Sequence, residues 1–137
     1  HATNCDDCQF LNNLINHEVN QDDSGYGNAI YASESENMIL SNNNLTAYYT
    51  AIDIDGSPSA FITGNSIHGF IEDFGINMPS SESSTVDNNN IERTKEYNGC
   101  NGYSMLINGE SSDNSTYTNN IIKYEQNNEL IIRCLIL

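Results

Sequence analysis

Basic residues are almost missing: four Lys plus Arg stand against nineteen Asp plus Glu in 137 residues, for a formal charge of −15. Such a chain is not expected to bind nucleic acid, because phosphate backbones need a basic face. An anionic membrane surface is disfavoured for the same reason. Long apolar runs are missing too. The longest, Leu130-Ile131-Ile132, resumes after Arg133 as Cys134-Leu135-Ile136-Leu137 and reads as a buried strand. It falls far short of the roughly 18 residues that a transmembrane helix requires, so no membrane insertion is expected. Charged residues make up only 17% of the chain, which argues against a charge-driven disordered tail. No initiator Met is present and residue 1 is His, as after removal of a signal peptide or in a fragment.

Asparagine is what the chain has in excess, with 23 copies. Asn is a poor helix former and a good turn former, so a helical protein is not expected. At 15.2 kDa one domain over residues 1–137 is the expectation. The even set Cys5, Cys8, Cys100 and Cys134 suits disulfides in an oxidising compartment. Sequons begin at Asn44 and Asn114, which makes both glycosylation candidates. Together these features point to a secreted, extracellular or cell-surface protein.

The asparagines hide a repeat. Ladder positions fall at Asn13, Asn43, Asn65, Asn89 and Asn120, each followed two residues later by an aliphatic: Ile15, Leu45, Ile67, Ile91 and Ile122. Five residues before each aliphatic stands another apolar residue: Phe10, Leu40, Ile62, Val86 and Tyr117. Ten residues before the last four of those come Ile30, Ile52, Ile76 and Ile107. The closing aliphatics are 30, 22, 24 and 31 residues apart, so one connection varies while a 16-residue block stays constant. Apolar positions alternate within the block, as in Ile52 with Ile54, and period 2 puts one set inward. A unit this small cannot bury its own apolar side and must stack on copies of itself. An amide both donates and accepts, so a column of Asn can pair along such a stack.

With these offsets the sequence resembles the right-handed parallel β-helix proteins of the pectin-lyase-like superfamily, over roughly residues 8–134. The resemblance implies an all-β solenoid of about five coils, each with three short strands and an Asn ladder at the turn between the second and third. First strands are expected near residues 29–32, 51–54, 75–78 and 105–108, with a last one in 130–134. The variable connections are then 46–50, 68–74, 92–104 and 123–129. The leading coil is expected to supply only its second and third strands, and the closing coil only its first. These complementary halves suit either caps on a cut solenoid or head-to-tail stacking, with Leu130–Leu137 of one copy on residues 5–15 of the next. Cys134 would then lie near Cys5 or Cys8 of the neighbour; the local alternative joins Cys100 to Cys134.

Carbohydrate enzymes of the superfamily usually work on the face of the first strand. Its outward positions here are Tyr31, Asp53, Asn77 and Asn108, with Ser33, Asp55, Pro79 and Glu110 beyond. Asp53 and Asp55, with Asp73 from the next connection, are the candidates for acid–base catalysis, and Asp53 with Asp55 for Ca²⁺. The lyases generally add an Arg or Lys base near the calcium, whereas Arg93, Lys95, Lys123 and Arg133 all lie outside first strands. Hydrolase-like segments are only partial: Ile52-Asp53-Ile54-Asp55, His68-Gly69, Glu72-Asp73 and Arg93-Thr94-Lys95, with His68 out of order. His1 lacks ligand spacing to His17 or His68, and Cys5-x-x-Cys8 lacks the second half of a zinc site. Tyr48-Tyr49 could stack on a sugar or merely fill a loop. The expectation is a non-enzymatic secreted solenoid, adhesive or filament-forming, whose partner is itself and secondarily carbohydrate. It needs no cofactor unless Ca²⁺. The competing expectation is a fragment of a polysaccharide-active β-helix enzyme or tailspike.

Overall fold

A computed structural model describes residues 1–16, 27–46, 49–69, 74–93, 107–126 and 129–131. The chain winds through three parallel sheets in turn. The first holds β1 (Ala2–Thr3), β4 (Ile30–Ser33), β7 (Ile52–Asp55), β10 (Ile76–Asn77) and β13 (Ile107–Asn108). The second holds β2 (Gln9–Leu11), β5 (Ile39–Ser41), β8 (Phe61–Thr63), β11 (Thr85–Asp87) and β14 (Thr116–Thr118). The third holds β3 (Leu14–Asn16), β6 (Asn44–Thr46), β9 (Ser66–His68), β12 (Asn90–Arg93) and β15 (Ile121–Gln126), with β16 (Glu129–Ile131) on its edge. The result is a right-handed all-β solenoid of about five coils.

The expected register holds. Ile30 pairs with Ile52, Ile52 with Ile76 and Ile76 with Ile107, and all four point inward, no more than 4% exposed. Leu40, Ile62 and Val86 make the matching buried column of the second sheet, and Leu45, Ile67 and Ile91 that of the third. Burying whole columns of aliphatics is what drives coil onto coil.

Each coil turns its corners with residues in the left-handed region. One such position is the residue before the ladder Asn: Asn12, Asn42, Gly64, Asn88 and Asn119, with φ of 53° to 65°. Two more precede the second strand: Asn4, Glu34, Gly56, Ser80 and Ser111, then Asp7, Asn37, Ser59, Ser83 and Asn114. Asn, Asp and Gly suit that region; Glu34, Ser59, Ser80 and Ser83 sit there with their backbone N–H groups bonded to the next coil. At Gly64 there is a second constraint, since a Cβ would come 2.6 Å from Asn42 Oδ1.

Two expectations about the ends are corrected. The leading coil does carry a first strand: Ala2 and Thr3 pair with Ala32 and Ser33. Each first strand has two inward positions, and although the first would precede residue 1, the second is Ala2. The segment placed in a closing first strand instead pairs antiparallel in the third sheet, with Glu129 opposite Gln126, Leu130 opposite Glu125 and Ile131 opposite Tyr124. Only Asn127 and Asn128 lie between the two strands in sequence. A two-residue connection of this composition favours a tight hairpin, whereas a parallel strand needs a long crossover. Residues 129–131 are thus the edge strand of the third sheet and not a closing first strand; 132–137 are outside the described residues.

Candidate functional site

Period 2 in β7 turns Asp53 and Asp55 outward together between buried Ile52 and Ile54, as expected. Asp53 is held as an acceptor on both sides. Its Oδ1 accepts from Asn77 Nδ2 and its Oδ2 from Asn28 Nδ2, each at 2.8 Å. Asn77 Oδ1 in turn accepts from Asn108 Nδ2 at 2.8 Å, and Asn108 Oδ1 from the Glu110 amide at 3.3 Å. The outer face of the first sheet is thus a relay of amides running along the stack. Asn28 commits its Nδ2 to the carboxylate and leaves its own Oδ1 buried without a partner. Flipping the amide would set oxygen against oxygen, so Asp53 dictates the orientation.

Both carboxylate oxygens of Asp53 are thus engaged by side-chain amides of neighbouring coils, an arrangement suited to structure. Asp55 is exposed at the corner. Among the described residues no three His, Cys, Asp or Glu gather to hold a metal ion, and Ca²⁺ takes six to eight oxygens. Asp73, Glu72 and Lys95 lie outside the described residues. His68 is on the third sheet, bonded through Nε2 to Thr46 Oγ1 at 2.9 Å, and Arg93 ends a strand of that same sheet. Of the hydrolase-like segments, Ile52–Asp55 thus lies on the first sheet and His68 and Arg93 on the third. At the N-terminal end of the first sheet the His1 ring lies 4.8 Å from that of Tyr31.

The Asn column is a continuous ladder. Asn13, Asn43, Asn65 and Asn89 each donate both the backbone N–H and Nδ2 to the Oδ1 of the Asn one coil on, at 2.9–3.0 Å. Nδ2 of each Asn from Asn43 onward also donates back to a carbonyl of the preceding coil: Phe10, Leu40, Ile62 and Val86. Asn43, Asn65 and Asn89 are buried, while Asn13 and Asn120 are half-buried.

A second ladder was not foreseen. The Cys5 N–H donates to Ser35 Oγ, that of Ser35 to Ser57 Oγ, that of Ser57 to Ser81 Oγ, and that of Ser81 to Ser112 Oγ, at 3.0–3.3 Å. All of these residues lie eight positions before a ladder Asn, a spacing visible in the sequence. Cys5 takes the serine's place in the leading coil and is joined to Cys8, the residue at the position of Met38 and Ala60. That local pairing is neither of the two considered from the sequence, and it occupies both partners proposed for Cys134. Cys100 and Cys134 lie outside the described residues. The sequon residues Asn44 and Asn114 are both exposed, on the third sheet and at the first corner.

The other candidate surfaces are the two ends. Inward residues of the middle coils are sealed, but Ala2, Cys8, Phe10 and Ile15 at one end and Tyr117 and Ile122 at the other are only partly covered. Tyr117 continues the column of Val86 and lays its hydroxyl 3.8 Å from Met78 Sδ. Burial pushes the phenol pKa up. The ring fits because the facing residue is Gly109, where a Cβ would collide with the tyrosine hydroxyl. On the outside of the second sheet Asp87 accepts from Thr118 Oγ1 at 2.7 Å and Asn119 Nδ2 at 2.8 Å. These two hydrogen bonds, Thr118 first, hold its carboxyl below the usual range.

Three parallel sheets, coils that share one constant block and an internal Asn ladder define a parallel β-helix. The family model described as right handed beta helix region matches residues 1–132, and the chain belongs to that family. No curated protein and no solved structure matches it significantly. Among the described residues no helix is long and apolar enough to cross a membrane.

Proposed function

We propose that the protein is a non-enzymatic structural solenoid of the extracellular surface, and that its ends are its working surfaces, stacking copies head to tail. The observation that carries this reading is the partial cover of the inward residues at both ends, against 0–1% exposure throughout the middle of the stack. The end coils keep the shape of the inner ones, with Asn13 and Asn120 in the same ladder. An end of this kind accepts another coil by the contacts that already join neighbouring coils. The Asp53 clamp supports a structural over a catalytic role for the first-sheet face. The Cys5–Cys8 bond and the exposed sequons support an oxidising, extracellular setting.

Sedimentation velocity over a range of protein concentrations, with electron microscopy of the concentrated samples, tests the reading. Multiples of the chain mass growing into rods are expected; a monomer at every concentration overturns it. Glucuronan- or galacturonan-degrading activity lost in Asp53→Asn would instead favour the polysaccharide-active reading.

A further inference from the structure

Resting on the stacking just proposed, we infer the register of the joint: the last coil of one copy meets the first coil of the next with Ile121 beside Leu14 and Asn120 beneath Asn13. The outward column of the third sheet runs Leu14, Asn44, Ser66, Asn90, Ile121. Its three middle members are polar, and its two ends are Leu14 at 77% and Ile121 at 56% exposure. Isolated exposed leucines are ordinary surface features. These two are exposed at opposite ends of one column, at the same place in their coils. In a stack continued in register they become cross-strand neighbours about 4.8 Å apart.

The ladder makes the joint directional. Every internal rung has its backbone N–H and one Nδ2–H pointing towards the C-terminal end, and its Oδ1 with the other Nδ2–H pointing towards the N-terminal end. The N-terminal face therefore presents an acceptor at Asn13, and by the same pattern the C-terminal face presents donors at Asn120. Two C-terminal faces brought together would set the Asn120 donors against each other. Only the head-to-tail arrangement matches them. The inward column agrees: it begins with Phe10 and ends with Tyr117, so the joint brings two aromatic rings together. β16 pairs with residues 124–126, so among the described residues the strand edge at Ile121–Lys123 has no second neighbour.

Charge complementation tests the register. Because Leu14 and Ile121 are exposed, their substitution is expected to leave the melting of the single solenoid unchanged. In the doubly substituted chain Leu14→Glu/Ile121→Glu, like charges meet at every joint, and association by sedimentation should weaken about fivefold or more. In Leu14→Lys/Ile121→Glu opposite charges meet, and most of the association should return. Equal weakening in both doubles overturns the register while leaving stacking itself standing. A wild-type chain that stays monomeric overturns stacking and the register together. Cross-linking supplies a second readout: Leu14→Cys mixed with Ile121→Cys should give a covalent dimer between the two variants, and its absence from assembled material also overturns the register.

Discussion

The middle coils and the end coils are built from the same repeat and differ in what covers them. At the middle, Ile52, Ile62 and Ile67 are at most 1% exposed, and Asn65 is bonded to coils on both sides. At the ends the same positions hold Phe10, Ile15, Tyr117 and Ile122, all partly open, and the special devices collect there. The leading coil replaces its corner serine with a disulfide, and the closing coil places an aromatic ring over a glycine. The outer coils thus add a disulfide and an aromatic contact to the features that the inner coils share.

The largest contrast should come from the core. Ile52→Ala, wholly enclosed, is expected to cost about 4 kcal/mol, and Ile15→Ala in the leading coil about half that. Urea denaturation measures both, and equal losses would abolish the distinction between the regions. Next comes the ladder. Asn65→Ala strips partners from Asn43, Leu40 and Asn89 and should cost roughly 1–3 kcal/mol. Asn13→Ala, with a neighbour on one side, should cost under about 1 kcal/mol, as read from melting curves. An unchanged curve for Asn65→Ala would remove the ladder from the list of stabilising elements.

The end devices come third. Reducing Cys5–Cys8 releases a short loop, worth about 2 kcal/mol in the chain-entropy account. Amide exchange should accelerate in residues 2–16 and stay slow in 52–67; acceleration everywhere would mean that the corner supports the whole stack. Gly109→Ala should destabilise by about 1 kcal/mol, because the Tyr117 hydroxyl must move, and Tyr117→Phe in the same chain should restore most of it. The smallest effect is the pH response of Asp87. Its carboxyl is held below the usual range when folded, so the stabilisation is complete above the unfolded-state value and fades as pH falls through the lower folded one. Carboxyl titration by NMR should show Thr118→Val moving Asp87 back towards the ordinary carboxylate value.

Much of this was legible beforehand. The isoleucine column and the five ladder asparagines emerged from fixed offsets, because each inward position recurs at the same place in every coil. The serine ladder has an equally regular spacing but a weaker compositional signal. Small hydroxyl residues beside Glu, Asp and Asn look like ordinary turn composition, and nothing local announces that Ser35, Ser57 and Ser81 are buried. The antiparallel pairing of 129–131 departs from the expected closing first strand because an apolar strand carries no sign of its direction; the Asn127-Asn128 pair before it is the available clue.

The sequence by itself determined the coil: its three strands, its inward columns and the rung of Asn at its corner. These follow from period-2 burial and from which residues tolerate the left-handed region, both local properties of the chain. Only the tertiary structure decided that Asp53 is clamped by amides 25 residues before it and 24 after it. It also decided which way every ladder amide points and that Glu129–Ile131 turns back on the third sheet. Those outcomes depend on partners brought together through connections of unequal length, where contact is set by stacking height and not by distance along the chain.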